Sequence, residues 1–345
     1  MYLVTGFPKL LARRMAESLL ARAPEAQVAL LVQEHHADEA KPLASERLRV
    51  LIGDVAAMHL GLSTGEYREL CQGCTDIVHA AEWSHLGADR SVMERVNIEG
   101  TRAVLELAAD CKKLRRLTHF STVFVSGDRV GVIAEDELSS GQAFRNAYEQ
   151  TRFEAEILVR GAMGQLACTV LRPSIVVGDS KTGEIDRFEG PYMIAILLVT
   201  SPMQVALPLP GDGVAPLNAV PLDYLVSAAT HIHHDPRAVG RTFHIVDPNP
   251  SSSRRVYEQV ANRAGKKLPR LSLGYKLTDA LLKLPGLERL TREQRMAIAY
   301  VNHLSFYSSR NTQEILEGTG VRCPPIESYL DNLIHYVREA YKRKE

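Results

Sequence analysis

The chain has 345 residues, room for one large domain or two modest ones with a full core. Hydrophobic residues make up 45% and charged residues 24%, an ordinary soluble balance. Lys plus Arg and Asp plus Glu are both 41, so the net charge is zero, which argues against nucleic acid as the main partner. Five cysteines with no framework spacing point to reduced thiols and a cytoplasmic protein. No signal peptide is expected ahead of Met1, because an apolar strand starts at once. The apolar run Tyr192 to Thr200 is too short to span a bilayer, so no transmembrane segment is expected.

In chain order, the first half alternates strand and helix. Strands are predicted at Tyr2–Thr5, Val28–Val32, Leu48–Ile52, Asp76–His79, Leu117–Val125 and Cys168–Val177. Helices are predicted at Leu10–Arg22, Val96–Cys111 and Phe144–Gly161. Val28-Ala29-Leu30-Leu31-Val32 is apolar throughout, as a strand buried on both faces requires. The second half is different. Pro208, Pro210, Gly211, Gly213 and Pro216 mark a loop-rich stretch; a strand follows at Thr242–Val246, then a turn at Pro248–Ser253, then mainly helix. This pattern divides the chain into residues 1–180 and a smaller C-terminal region, 181–345, with the sheet completed by later strands.

A strand, a tight turn and a helix at the N-terminus form an anion site, because free N–H groups and the helix dipole face outward. The stretch is Thr5-Gly6-Phe7-Pro8-Lys9-Leu10-Leu11-Ala12. Lys9 and Ala12 stand where a three-glycine fingerprint has glycines. Lys9 either blocks the site or reaches a phosphate itself. After the second strand come Gln33 and Glu34; Arg13, His35 and His36 nearby would favour a 2′-phosphate, whereas a solvated loop is the plainer account of residues 34–36.

Further residues carry a resemblance. They are Gly53-Asp54-Val55, His79-Ala80-Ala81, Asn97 in Val96-Asn97-Ile98-Glu99-Gly100-Thr101, Ser121-Thr122 before Gly127, Tyr148 with Arg152, and Leu171-Arg172-Pro173-Ser174-Ile175. In order and spacing the chain resembles the extended short-chain dehydrogenase/reductases, nearest the thioester reductase and fatty acyl reductase domains. The resemblance implies an α/β fold, a Rossmann-type doubly wound parallel sheet with a smaller, mostly helical C-terminal substrate region. It implies that Asp54 contacts adenine, that Ala80 and Ala81 flank the cofactor, and that Pro173, Ser174 and Ile175 lie by the nicotinamide. It also implies NADP in preference to NAD, a carbonyl or alcohol substrate with acyl or lipid character, and a homodimer. Sugar-nucleotide epimerisation or dehydration uses the same fold.

The chemistry follows from the residues. Carbonyl reduction needs hydride on carbon and a proton on oxygen; a tyrosine supplies the proton if a cation lowers its pKa. Tyr148 and Arg152 are four apart and share a helix face. A hydroxyl on a neighbouring strand end, Thr122 or Ser121, would bond the substrate oxygen; the resemblance favours Thr122, which sits five residues before Gly127 as the family's hydroxyl residue does. The family's lysine is here Arg152, which keeps the charge but practically never releases its proton. With Lys9 and Ala12, this leaves open a degenerate, dinucleotide-binding protein that acts through protein contacts.

No metal is expected. Cys71-x-x-Cys74 lacks a second pair, and His231, His233 and His234 read as a polar helix end. Leu277, Leu281 and Leu284 form an apolar stripe between Tyr275 and Leu290, read as a core-covering helix, with a lid over a greasy substrate as the alternative.

Overall fold

A computed structural model of the chain describes residues 1–186, 212–268, 300 and 302–342. The run Tyr192 to Thr200, the Pro208–Gly211 turn and the stripe at Leu277, Leu281 and Leu284 lie outside the described residues.

The strands of the main sheet are β1 (Tyr2–Thr5), β2 (Val28–Val32), β3 (Leu48–Ile52), β4 (Asp76–His79), β5 (Arg116–Phe120), β7 (Cys168–Pro173) and β10 (Thr242–Ile245). Their order is β10-β7-β5-β4-β1-β2-β3, and every pairing is parallel. The two directions of winding meet at β1 and β4, where an open sheet of this kind leaves a crevice at its carboxyl edge. The α/β, doubly wound class is therefore borne out. β10 comes from well past residue 180 and supplies the edge strand beside β7. Two short parallel pairs join β6 (Gly131–Ile133) to β11 (Ser305–Tyr307), and β8 (Ile175–Val177) to β9 (Ala219–Pro221).

Side chains alternate across a strand, so β1 feeds both layers. Val4 packs on one side with Met15 and Leu19 of α1 (Leu10–Arg22) and with Leu225 and Ala228 of the helix Leu222–His234. Leu3 packs on the other side with Leu70 of the helix Thr64–Gly73 and Leu107 of the helix Gly100–Asp110. A third cluster covers β8 and β9, where Val256 and Val260 of the helix Ser253–Arg263 meet Leu333 and Val337 of the helix Leu330–Lys342.

Several boundaries differ from the sequence expectation. The strand expected over Leu117–Val125 ends at Phe120, because Thr122 turns out to cap a short helical turn at Val123–Ser126. The strand expected over Cys168–Val177 breaks at Ser174 into β7 and β8. The helix expected from Phe144 begins at Ala147, where Asn146 accepts a hydrogen bond from the Glu149 N–H. The helix expected over Val96–Cys111 starts as a wide turn at Glu94–Glu99 and becomes regular at Gly100. The helix Thr64–Gly73 was not anticipated and carries a reciprocal cap between Ser63 and Glu66; the helix end expected at His231–His234 closes a helix that starts at Leu222.

Candidate active site

A cavity of about 230 Å³ opens at the carboxyl ends of β1, β4, β5 and β7. Of the residues singled out in the sequence, Lys9, Leu10, Leu11, Ala80, Ser121, Thr122, Tyr148, Pro173, Ser174 and Ile175 line it. The β1 turn is possible because of Gly6: its φ is +107°, and a Cβ there would lie 2.7 Å from the Ala80 carbonyl. Beneath the turn, Thr5 Oγ1 bonds His79 Nδ1 at 2.8 Å and accepts the Ala81 N–H. His79 Nε2 meets Thr101 Oγ1 at 3.1 Å. His79 is thus a buried tie between strand ends, and burial followed by the Arg152 charge pulls its pKa down to about 3.

One face of the helix Ala147–Ala162 turns toward the cavity and the strand ends beneath it. Tyr148, Arg152 and Glu156 recur every four residues on it. Tyr148 reaches the cavity wall. Arg152 is 1% exposed; its Nη2 donates to the Phe120 carbonyl, while Nη1 has no hydrogen-bond partner among the described residues. Glu156 holds Arg172 through both oxygens and accepts from Ser121 Oγ at 2.6 Å. Ser121 is therefore committed to a buried ion pair. Thr122 Oγ1 accepts the Phe124 N–H at 3.3 Å, which leaves its hydroxyl hydrogen to donate into the cavity.

Sequence reasoning missed Glu82, which follows directly on Ala80-Ala81. Its Oε1 accepts from Lys9 Nζ at 2.8 Å and its Oε2 from the Tyr148 hydroxyl at 3.1 Å. Arg152 Nε lies 3.5 Å from the same Oε2. Burial disfavours the Glu82 charge, but Lys9 and Arg152 outweigh it and lower its pKa to about 2. Burial, then the Glu82 charge, raise the Tyr148 pKa well above its ordinary value, and Arg152 opposes them. Lys9 neither fills the turn nor points to solvent: it also donates to Ser84 Oγ at 3.1 Å. Asp186 was missed as well. Its Oδ2 accepts the Leu10 N–H at 2.9 Å, at the start of α1. Tyr300, also on the cavity, donates to Glu149 and packs its ring 4.5 Å from Phe124.

The remaining residues lie to the sides. Gln33 Nε2 donates to Asp54 Oδ2 at 3.0 Å, so the ends of β2 and β3 meet as the sequence order suggests. Gly53 fits under the Leu60 carbonyl, where a Cβ would sit at 2.3 Å. Val55 is packed in the core against Gly100, away from the cavity. Arg13 pairs with Glu17 on its own helix. Phe7 sets its ring edge-on to His36, with centroids 6.4 Å apart. Asn97 is buried and clamps the loop after β4: it accepts the Trp83 N–H at 2.7 Å and donates to Thr151 Oγ1 at 3.0 Å. His233 and His234 bond Thr118 and Tyr2. The five cysteines are free thiols. No helix among the described residues is long and apolar enough to cross a membrane.

Comparison with known proteins agrees with this geometry. Residues 4–229 match the NAD-binding family described as male sterility protein. The chain is 24% identical over 302 residues to a linear gramicidin synthase of Brevibacillus parabrevis, covering 84% of this chain and 6% of that protein. It is 24% identical over 331 residues to aldehyde reductase lnaA of Aspergillus flavus, covering 87% of this chain and 31% of that one. It thus spans under a third of the length of either relative. Among solved structures, the terminal R domain from the myxalamid PKS-NRPS biosynthetic pathway superposes with a TM-score of 0.81 at 26% identity, over 99% of this chain and 90% of that one. The chain belongs to the male sterility protein family, among the extended short-chain dehydrogenase/reductases of the thioester and fatty acyl reductase type.

Proposed function

We propose that the chain is an NAD(P)-dependent oxidoreductase that moves hydride to or from a carbonyl or alcohol carbon. The observation that carries this is the convergence of Tyr148 and Thr122 on one cavity at the switch point of the sheet, with Arg152 buried behind its wall beside Glu82. The residues present fit a dinucleotide. A lysine stands at the start of α1, and Arg152 keeps a buried donor without a partner among the described residues. Ser174 Oγ, buried on the cavity wall, likewise has no partner among the described residues. Lys9 and the first turn of α1 would hold the phosphates. Gln33 and Asp54 would meet the adenosine end, and Arg152 a ribose.

When bound, the dinucleotide supplies or accepts the hydride. Tyr148 gives its proton to the substrate oxygen during reduction and takes it back during oxidation. Arg152 stabilises the phenolate that reduction leaves, by charge rather than by proton transfer, since a guanidinium does not deprotonate. Thr122 donates a hydrogen bond to the same oxygen and orients it. The mainly apolar wall of Leu10, Leu11, Phe124, Val176, Ile185 and Leu222 suits an acyl-derived or lipid-like carbonyl compound. NADP is favoured over NAD because the residue just after β2 is the neutral Gln33 and Glu34 is exposed, with His35 and His36 beside it. The test is consumption of NADPH with long-chain aldehydes and acyl thioesters, in wild type and in Tyr148→Phe.

A binding-only protein is the second reading. The observations on its side are the Asp186 carboxylate on the Leu10 N–H and the Glu82 carboxylate on the Tyr148 hydroxyl. Dinucleotide binding with no turnover of any carbonyl would favour it.

A further inference from the structure

Three elements bring charge to one point. α1 brings Lys9, the helix Ala147–Ala162 brings Arg152 and Tyr148, and the loop after β4 brings Glu82 between them. The loop is built to hold that carboxylate. Asn97 grips both backbone groups of Trp83, the next residue, and bonds Thr151, the residue before Arg152. Glu82 therefore cannot drift from Tyr148 without breaking buried hydrogen bonds.

We propose that Glu82 is a positioning residue: its carboxylate holds the Tyr148 hydroxyl until a substrate oxygen replaces it, and its negative charge opposes loss of the phenolic proton. The proposal rests on Tyr148 being the proton donor. Arg152 and Lys9 are the cations that limit the effect; Tyr300 faces Tyr148 from the C-terminal part, Asp186 lies across the cavity, and His79 and His119 lie near Arg152. Both histidines are held neutral, burial first and Arg152 second, so they add no countercharge. The balance at the phenol is thus set by Glu82 against Arg152. Lys9 weakens the hold of Glu82 by pairing with it, which ties the start of α1 to the proton donor.

The test uses the full chain in four variants: Glu82→Gln, Glu82→Asp, Lys9→Met and Tyr148→Phe. The first readout needs neither cofactor nor substrate. It is the ring-carbon NMR resonance of isotope-labelled tyrosine, assigned to residue 148 by its loss in Tyr148→Phe and followed with pH. Glu82→Gln is expected to shift that resonance at neutral pH and to lower the pH of ionisation by about one unit or more. Glu82→Asp should keep the wild-type response, and Lys9→Met should move ionisation the opposite way from Glu82→Gln. The second readout is the pH dependence of alcohol oxidation, whose rising limb should move to lower pH in Glu82→Gln.

A folded Glu82→Gln whose resonance and pH response match wild type overturns the proposal. If that variant does not fold, an unchanged response in Lys9→Met overturns it instead. A wild type without turnover but with the expected resonance shifts would refute the oxidoreductase function and with it the positioning role, leaving only the hold of Glu82 on the Tyr148 hydroxyl.

Discussion

The phenol of Tyr148 donates to Oε2 of Glu82 at 3.1 Å, and Arg152 approaches the same oxygen at 3.5 Å. The proposed proton donor, its cation and an opposing anion thus form one unit. An arginine-for-lysine exchange alone does not describe it.

Tyr148→Phe removes the proposed proton donor and the bond to Glu82 while leaving the ring in place. Steady-state kinetics should show kcat for carbonyl reduction down by about a hundred-fold or more. KM and dinucleotide affinity should stay within a few-fold of wild type.

Thr122 and Ser121 are neighbours with different expected behaviour. Thr122→Ala should lower kcat about ten-fold or more and, through loss of the cap on Val123–Ser126, cost about 1 kcal/mol of stability. Ser121→Ala leaves Glu156 short of one donor inside a buried ion pair, so it should cost about 1–3 kcal/mol in denaturant unfolding. Equal loss of activity in two equally stable variants would count against Thr122 as the orienting hydroxyl.

Asp186 sits where the α1 N-terminus would meet a phosphate. Asp186→Asn removes a negative charge there and keeps the shape. Calorimetry at low salt should show dinucleotide binding tightened about three- to ten-fold. Weaker binding would mean that the carboxylate helps to shape the site.

Acid sensitivity should start with the histidines. Burial, aided by Arg152 at His79 and by Arg172 at His244, lowers both pKa values from 6.5 to about 3. The unfolded chain therefore binds more protons between those values. Their stabilisation is complete above pH of about 6.5 and is lost as pH falls toward 3. Melting temperature should fall through that window, and His79→Asn should make the fall shallower.

Much of this was legible in the sequence because the first four strands are short, largely apolar segments set off by polar or turn residues. The bounds of β1 to β4 follow from Tyr2–Thr5, Val28–Val32, Leu48–Ile52 and Asp76–His79 without help from packing. Tyr148 and Arg152 were legible as a four-residue stripe, though its continuation to Glu156 went unread. Other features were not, each for a physical reason. Val123 and Val125 are buried in a helical turn and read like strand residues, which hid the exit of Thr122 from β5. Ser174 breaks a run that is apolar on both sides. Glu82 looked like an ordinary charge after a strand, because its partners are 73 and 66 residues away in the chain. Asp186 meets Leu10 across 176 residues, a pairing with no local signal. The helix Thr64–Gly73 did have a signal, the Ser63-x-x-Glu66 cap.

Everything proposed for the site depends on a nicotinamide dinucleotide binding at the carboxyl edge of β1 and β4. Calorimetric titration of the purified chain with NADPH and with NADH tests this most directly. Micromolar binding is expected, tighter for NADPH. A protein that melts cooperatively yet binds neither dinucleotide would contradict it.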